Sequence, residues 1–265
     1  MGSEVVRAVS READMEIAGA VDMNPRDLII EGADGSTQVV RVTSDLEEVI
    51  ARLKPHVIVD FTRPDAVMDH VRTALQRGVR AVVGTTGISM ADIDEVRGLC
   101  TKFGLGAIIA PNFAIGAILM MKFSEMAARH LPRVEIIELH HDAKLDSPSG
   151  TAMKTAQMIH GELVRSREAG AAPEQRKLDK PEPEGAIEKV PGARGAEVEG
   201  VRIHSVRLPG LVAHQEVIFG GPGQILTIRH DSISRESFMP GVMMAIRRVM
   251  TLSGVIYGLE GVLGL

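Results

Sequence analysis

The densest group of proton-transferring side chains lies between Glu138 and Ala152, a stretch that reads ELHHDAKLDSPSGTA. It contains two adjacent histidines, His140 and His141, and a lysine, Lys144, three residues further on. An imidazole and an ammonium group side by side lower each other's pKa, which makes either a better proton donor. The stretch therefore predicts acid–base chemistry.

The elements on either side of this stretch position it where ligands commonly bind. The apolar run of residues 134–139 predicts a strand, and apolar residues at helical spacing predict a helix over residues 149–164. The polar residues then lie between a strand's carboxyl end and a helix's amino end, where N–H groups lack partners. The helix start Ser149-Gly150-Thr151 predicts an anion-binding nest, which together with Lys144 suits a carboxylate.

Plainer interpretations of the same residues stay open. Because His140 and His141 are adjacent on a strand, their side chains start on opposite faces, which disfavours a shared metal ion. The single cysteine, Cys100, lies elsewhere, so we expect no metal site. One imidazole could be purely structural, and Lys144 could be a solvated loop lysine.

Composition excludes several classes of protein. The chain has 265 residues, a net charge of -5, six Phe, one Tyr and no Trp, which does not suit a nucleic-acid surface. A lone cysteine in an apolar helical segment indicates a reducing compartment. The start has neither a signal-peptide pattern nor a long apolar run, so we expect a cytoplasmic protein that binds neither membrane nor nucleic acid.

The order of elements predicts an α/β fold. Continuous apolar runs at residues 57–61, 79–83 and 105–110, separated by helical stretches, indicate a Rossmann-like parallel sheet. Capping boxes at Ser44 and Ser89 predict two helix starts. From residue 134 onward the pattern indicates a mixed α/β domain with a long loop at residues 165–200, a hairpin over residues 214–230 and a last helix over residues 235–252.

The turns after the predicted strands suggest a nucleotide site. Gly84-Thr85-Thr86-Gly87 follows a buried strand, and such a turn exposes N–H groups to a phosphate or carboxamide. Asp22 ends a strand predicted over residues 15–21, where a dinucleotide fold places the acid that binds a ribose hydroxyl. A turn or cap aspartate is an equal alternative. A glycine-rich first loop is missing, so we expect that a first strand and most of its loop have been lost from this sequence.

Beyond these patterns, the motif at residues 138–152 resembles the signature of the 4-hydroxy-tetrahydrodipicolinate reductase family, formerly called dihydrodipicolinate reductase. Residues 82–87, the run APNFAIG at 110–116 and RIHSVR at 202–207 resemble the same family. The resemblance covers essentially the whole chain. It implies reduction of 4-hydroxy-tetrahydrodipicolinate, via dihydrodipicolinate, by NADH or NADPH in lysine and diaminopimelate biosynthesis.

The resemblance also implies roles for individual residues. His140 matches the family's proton donor or acceptor, and Lys144 its proton donor. The positions that would contact the dicarboxylate are His141, Ser149, Gly150 and Thr151. The positions that would contact the cofactor are Gly2, Asp22, Gly84, Thr85, Thr86, Ala110, Pro111, Asn112 and Phe113. Residues 1–113 and 236–265 would bind the dinucleotide, and residues 114–235 would bind substrate and build a homotetramer.

Two departures from the family pattern concern the cofactor. Of the motif GxxGxMG only Met1-Gly2 is present. Met23 follows Asp22 where NADPH-using members often carry a basic residue, so we predict a preference for NADH or weak discrimination. Two alternatives remain at this point, another Rossmann-type reductase such as a homoserine or sugar dehydrogenase, and a non-catalytic binding protein that keeps the carboxylate site.

Overall fold

A computed structural model describes residues 1–32, 35–168, 185 and 187–265. These residues form two compact units. The first comprises Met1–Ile115 and Arg235–Leu265, and the second comprises Gly116–Ser234.

The first unit is built on a four-stranded parallel sheet. Its strands are β4 (Val57–Asp60), β5 (Arg80–Val83), β6 (Gly106–Ile109) and β12 (Gly254–Tyr257), in the order β12-β6-β5-β4. Residues Ala81, Val82 and Val83 are fully buried, as expected for a parallel strand covered on both faces. The predicted parallel sheet is confirmed, although β12 was not predicted.

The helices of this unit are α1 (Gly2–Val9), α2 (Leu46–Leu53), α3 (Val67–Gln76), α4 (Met90–Phe103), α7 (Met239–Val249) and α8 (Glu260–Leu263), with a 3-10 turn at Arg235–Phe238 before α7. The capping box of Ser89 with Asp92 is present at α4. The box predicted at Ser44 is wrong, because α2 starts one residue later. There the carboxylate of Asp45 accepts from the N–H of Glu48 at 2.9 Å.

A second, three-stranded sheet completes the first unit. It contains β1 (Ala20–Val21), β2 (Arg26–Glu31) and β3 (Thr37–Thr43), in the order β1-β3-β2. The strand predicted over residues 15–21 is therefore much shorter than expected. Strand β2 went unpredicted because its sequence, RDLIIE, has a run of only three apolar residues, shorter than the four to eight that indicate a buried strand.

The described part of the second unit contains a five-stranded mixed sheet and two helices. The strands are β7 (Arg133–His140), β8 (Ala196–Val198), β9 (Val201–Arg207), β10 (Ala213–Gly221) and β11 (Gln224–Ser232), in the order β11-β10-β7-β9-β8. Strands β10 and β11 form the predicted hairpin, with Gly221 opposite Gln224. The helices are α5 (Ile115–Ala128) and α6 (Gly150–Glu168).

The sheet buries one face against α6. Ile136 and Glu138 of β7 lie opposite Val217 and Gln215 of β10, and all four side chains are buried. Ala152, Ala156 and Ile159 of α6 supply fully buried apolar surface for this core. The predicted loop at residues 165–200 is shorter in the structure, because α6 extends to Glu168 and β8 forms at Ala196–Val198. Residues 169–184 and 186 lie outside the described residues. Among the helices described, none combines the length and the apolarity that crossing a membrane would require.

Candidate active site

Strand β7 delivers His140 together with a buried carboxylate, Glu138. The two residues are two positions apart and so point to the same face of the sheet. Nδ1 of His140 lies 2.5 Å from Oε2 of Glu138, within hydrogen-bond distance. Arg207, at the end of the neighbouring strand β9, donates from Nη1 and Nη2 to the two oxygens of Glu138 at 2.9 and 2.7 Å. Glu138 is 0% exposed, so its charge is balanced inside the protein.

Burial and hydrogen bonding act in opposite directions on these two groups. Burial would raise the pKa of Glu138, but hydrogen bonds from Arg207, Ser205 and His140 outweigh it and hold that pKa below its usual range. Burial lowers the pKa of His140, against the opposing effect of Glu138, and the positive charges of Lys144 and Arg207 lower it further. The site therefore favours an ionised Glu138 and a neutral His140 near neutral pH.

Lys144 lies in the loop after β7 and is held more loosely. Its Nζ donates to Oδ1 of Asp146 at 2.6 Å, and the Asp146 side chain is 63% exposed. The ammonium group of Lys144 lowers the pKa of Asp146. Arg207 also reaches this loop, because its Nη2 donates to the carbonyl of Asp146 at 2.9 Å. His141, the next residue after β7, is exposed.

The start of α6 follows the same loop. Ser149 is buried, and its Oγ accepts from the N–H of Ala152 at 3.2 Å, so its hydroxyl caps the helix. Gly150 is exposed and Thr151 is half-buried. Their N–H groups belong to the first turn, which has no partners within the helix for them. This end of α6 can accept an anionic group from a ligand.

In the first unit, the turn after β5 packs on the turn after β4. A Cβ at Gly84 would come within 2.1 Å of the Phe61 ring, so only glycine fits there. Thr85 is buried, and its Oγ1 donates to Oδ1 of Asp60 at 2.7 Å. Thr86 is exposed. Asp60 is itself buried and also contacts His70, whose Nδ1 lies 2.7 Å from Oδ2.

The second predicted cofactor loop, residues 110–113, adjoins this turn. The Ala110 N–H donates to the carbonyl of Val83 at 2.9 Å, and the Phe113 ring lies 5.7 Å from that of Phe61. Ala110 and Phe113 are buried, Pro111 is exposed and Asn112 is half-buried. The structure therefore brings together the turns at residues 84–86 and 110–113.

Asp22 and Gly2 lie elsewhere in the first unit. Asp22 is exposed at the end of β1, and its Oδ1 accepts from the N–H of Asn24 at 2.9 Å. This hydrogen bond and the nearby guanidinium of Arg26, 3.5 Å away, lower the pKa of Asp22. Gly2 is the first residue of α1 and is exposed.

The polar groups of the first unit fit a reduced dinucleotide. Asp22 is an exposed, ionised acceptor for a ribose hydroxyl, and the exposed Thr86 follows a glycine-bearing turn at the carboxyl edge of a parallel sheet. Within the described ranges, by contrast, no three His, Cys, Asp or Glu side chains are grouped so that they could hold a metal ion.

Sequence patterns do not indicate three residues of these sites. Glu138 and Asp60 each stand within an apolar run and are buried. Because a buried carboxylate must be paired, this position alone could have indicated that each has a polar partner. Arg207 lies in a strand 69 residues from Glu138, and no short-range spacing indicates that pairing.

The fold and these sites define a dehydrogenase-like α/β protein. A solved amine dehydrogenase from Mycobacterium smegmatis has the same fold, with a TM-score of 0.56 and 14% identity over 97% of this chain and 91% of that one. Models of the N-terminus and the C-terminus of dihydrodipicolinate reductase match residues 1–113 and 116–263. The chain belongs to the dihydrodipicolinate reductase family.

Individual relatives agree along nearly the whole chain. A 4-hydroxy-tetrahydrodipicolinate reductase from Listeria monocytogenes serotype 4b is 52% identical, covering 99% of this chain and 95% of that protein. One from Moorella thermoacetica is 50% identical with 99% and 94% covered. The solved dipicolinate-bound dihydrodipicolinate reductase of Paenisporosarcina sp. TG-14 has a TM-score of 0.79 and 43% identity, covering 98% and 94%. The resemblance drawn from the sequence and the predicted NAD(P)H-dependent oxidoreductase class are confirmed.

Proposed function

We propose that this chain reduces 4-hydroxy-tetrahydrodipicolinate to tetrahydrodipicolinate with NADH or NADPH, a step of lysine and diaminopimelate biosynthesis. The observation that carries the proposal is the acid–base group of His140 and Lys144 beside the start of α6. It supports the proposal because it occurs in a chain that is 52% identical to a reductase of that name. A conserved fold alone would not specify the reaction.

The reaction needs both a hydride and a proton. The 4-hydroxy substrate loses water to give dihydrodipicolinate, and a reduced nicotinamide, when bound, would supply the hydride to C4. The electron pair of the ring double bond at C4 moves to the neighbouring ring carbon and leaves an enamine-like carbanion, which takes a proton from Lys144 or His140. The products are tetrahydrodipicolinate, water and the oxidised cofactor, so charge and atoms balance.

The substrate is a small dicarboxylate, which suits the anion-accepting end of α6. In the proposal, the N–H groups of Gly150 and Thr151 bind one carboxylate, with Ser149 holding the turn and His141 contacting the ring. Lys144 adds a positive charge on the same side. The dipicolinate bound to the Paenisporosarcina protein supports a ligand of this chemistry.

The cofactor would bind to the first unit. We assign Gly84, Thr85 and Thr86 to the nicotinamide side, Asp22 to the ribose, and Gly2 to the phosphates. The remaining cofactor loop is Ala110, Pro111, Asn112 and Phe113. Residues 1–113 and 236–265 form the dinucleotide-binding part in this proposal, and residues 114–235 form the substrate-binding part.

The proposal extends to assembly and location. A homotetramer built by residues 114–235 would cover the face of the β7–β10 sheet opposite α6, where His214 and Glu216 are half-buried. The buried thiol of Cys100, whose pKa burial raises to about 11, suits a reducing compartment such as the cytoplasm. Sedimentation velocity of the purified chain tests the tetramer, and a monomer at micromolar concentration would contradict it.

Turnover with freshly generated 4-hydroxy-tetrahydrodipicolinate tests the reaction. We expect loss of the reduced nicotinamide absorbance only when both substrate and enzyme are present. Aspartate semialdehyde, the substrate of a homoserine dehydrogenase, and an inositol ketone serve as controls. Oxidation with a control substrate but not with the dicarboxylate would overturn the proposal, and so would tight NADH binding without any turnover.

A further inference from the structure

We propose that Glu138 and Arg207 are positioning residues for His140, which they hold with the proton on Nδ1 so that Nε2 is the ring nitrogen offered to the substrate. The inference rests on the proposed function, because it concerns how the same site moves a proton. Glu138 and Arg207 do not contact the reacting atoms in this proposal. They act through His140 and through the loop that carries Lys144.

The charge state of Glu138 is set by burial and by Arg207. Its side chain is fully buried, which by itself would favour the neutral acid. Arg207 offsets this through a two-pronged contact, with donors 2.9 and 2.7 Å from the two carboxylate oxygens. A guanidinium cannot lose its proton in a protein, so Glu138 stays ionised and can only accept hydrogen bonds.

The ionised carboxylate of Glu138 sets the tautomer of His140. The nitrogen that faces Oε2 of Glu138, at 2.5 Å, is Nδ1. Since an ionised carboxylate has no proton to give, Nδ1 must be the donor, and the lone pair of neutral His140 is on Nε2. In the described part of the chain, Nε2 has no hydrogen-bond partner of its own. It is therefore free for a ligand.

Glu138 and His140 are connected to Lys144 through Arg207. Arg207 also donates from Nη2 to the carbonyl of Asp146 at 2.9 Å, and the carboxylate of Asp146 accepts from Lys144. One guanidinium thus fixes both the partner of His140 and the turn that carries the lysine. The charged groups acting on His140 are Glu138 on its own strand, Lys144 in the loop and Arg207 on β9. On β10, the residue opposite His140 is the uncharged Ala213.

The same sheet provides a matched control. Glu135, on the opposite face of β7, lies 2.7 Å from the imidazole of His204 and pairs with Arg194. There the facing nitrogen is Nε2 rather than Nδ1. The geometry therefore assigns opposite tautomers to two histidines that each face a carboxylate of the same strand.

Nitrogen-15 NMR of the unmodified full chain, with histidine labelled, tests the tautomers without reference to activity. At a pH where both rings are neutral, we expect His140 to carry its proton on Nδ1 and His204 on Nε2. Single substitutions H140N and H204N assign the signals. A neutral His140 protonated on Nε2 would overturn the inference even if the chain reduces the substrate normally.

Kinetics of E138Q and the control E135Q test the consequence for catalysis. For E138Q we expect kcat to fall at least about 10- to 100-fold, by analogy with the loss of the outer hydrogen-bond partner of a metal-bound imidazole. The limb of the kcat/KM profile that belongs to His140 should move to lower pH by about one unit or more, because an opposite charge is lost. E135Q should retain both kcat and the profile.

A third variant covers the case in which E138Q does not fold. R207K keeps the positive charge but loses the two-pronged contact with Glu138, so we expect a smaller loss of kcat than in E138Q. An unmoved pH profile in a folded E138Q, or an unchanged kcat in a folded R207K, would overturn the inference. If the wild type shows no turnover at all, the proposed function fails, whereas the NMR result still decides the tautomer.

Discussion

His140 and Lys144 are held with different firmness, and in the proposed proton transfer we assign them different parts. The imidazole is fixed at Nδ1 by a buried, ionised carboxylate. Lys144 is paired with Asp146, a largely exposed carboxylate, and exposed ion pairs contribute little free energy. Lys144 can therefore leave Asp146 for a substrate at small cost, while His140 stays in place.

Removal of the ammonium group tests the role of Lys144. For K144A we expect kcat to fall by about 10² to 10⁴, the range for loss of a general acid. K102A, which removes a lysine on α4 in the other unit, should leave kcat unchanged. Steady-state kinetics at saturating cofactor measures both. A near-normal kcat in K144A would remove Lys144 from the mechanism.

Cofactor choice is a second property set by single residues. Met23, which follows Asp22, the residue proposed to bind the ribose, is 86% exposed and offers no charge to a 2′-phosphate. We expect NADH to be preferred or discrimination to be weak, and M23R to improve kcat/KM for NADPH by about tenfold through one charge-assisted contact. Equal or better turnover with NADPH by the wild type would contradict this. In that case the residue to vary next is Arg26 of β2, whose guanidinium lies 3.5 Å from the carboxylate of Asp22.

Among the elements, the turn after β5 depends on a glycine. An alanine Cβ at Gly84 would lie 2.1 Å from the ring of Phe61, which in turn packs on Phe113. We expect G84A to be destabilised by about 1–3 kcal/mol through overpacking and to bind NADH more weakly. Urea unfolding and NADH titration measure the two effects.

The control for this variant is G98A. Gly98 lies within α4, and a Cβ there would meet nothing within 4 Å. We expect G98A to be stabilised by about 0.5–1 kcal/mol, because alanine is the better helix former, and to bind NADH normally. Equal effects of the two substitutions would show that the contact with Phe61 does not matter.

How far the elements could be predicted depends on how much of their pattern is local. Strands β4, β5 and β6 are continuous apolar runs, and the Ser89 box marks α4 within four residues, so both were found from sequence. No side chain of strand β12 is fully buried, so it lacks the signature of a covered strand, and its partner β6 is far from it in the chain. The wrong cap at Ser44 has a similar cause, since Asp45 next to it is an equally good cap and only the backbone geometry decides.

The candidate site was predictable in the same uneven way. His140, Lys144 and the start of α6 lie within one short stretch, so their chemistry is visible in sequence. The pairing of Glu138 with Arg207 joins two neighbouring strands that are far apart in the chain. It follows from the sheet order, which a local pattern does not contain.

At the scale of the whole molecule, carboxylates that are buried and ion-paired make the free energy of unfolding decrease at acid pH. Glu162 of α6 is an example: burial raises its pKa, but hydrogen bonds from Arg165 and Arg129 outweigh this and lower it. A lowered pKa in the folded chain gives stability that is complete above the usual value of about 4.5 and is lost as the pH falls through the folded value.

We therefore expect the wild-type Tm to fall as the pH decreases below about 4.5. E162Q should have a lower Tm at neutral pH and a shallower slope in that acid window, because it lacks a group to protonate. E168Q, at the exposed end of the same helix, should follow the wild type. Calorimetry across the acid range measures the slopes, and identical slopes for all three chains would contradict the account.

In the proposed reaction, this chain transfers a hydride from the cofactor to C4 of the dicarboxylate ring. Transfer of an isotope tests this directly. The enzyme is supplied with 4-hydroxy-tetrahydrodipicolinate and NADH that carries deuterium at the transferred position, and the product is examined by mass spectrometry and NMR. We expect tetrahydrodipicolinate with one deuterium, at C4. Unlabelled product, deuterium at another carbon, or no product from a folded enzyme would contradict it.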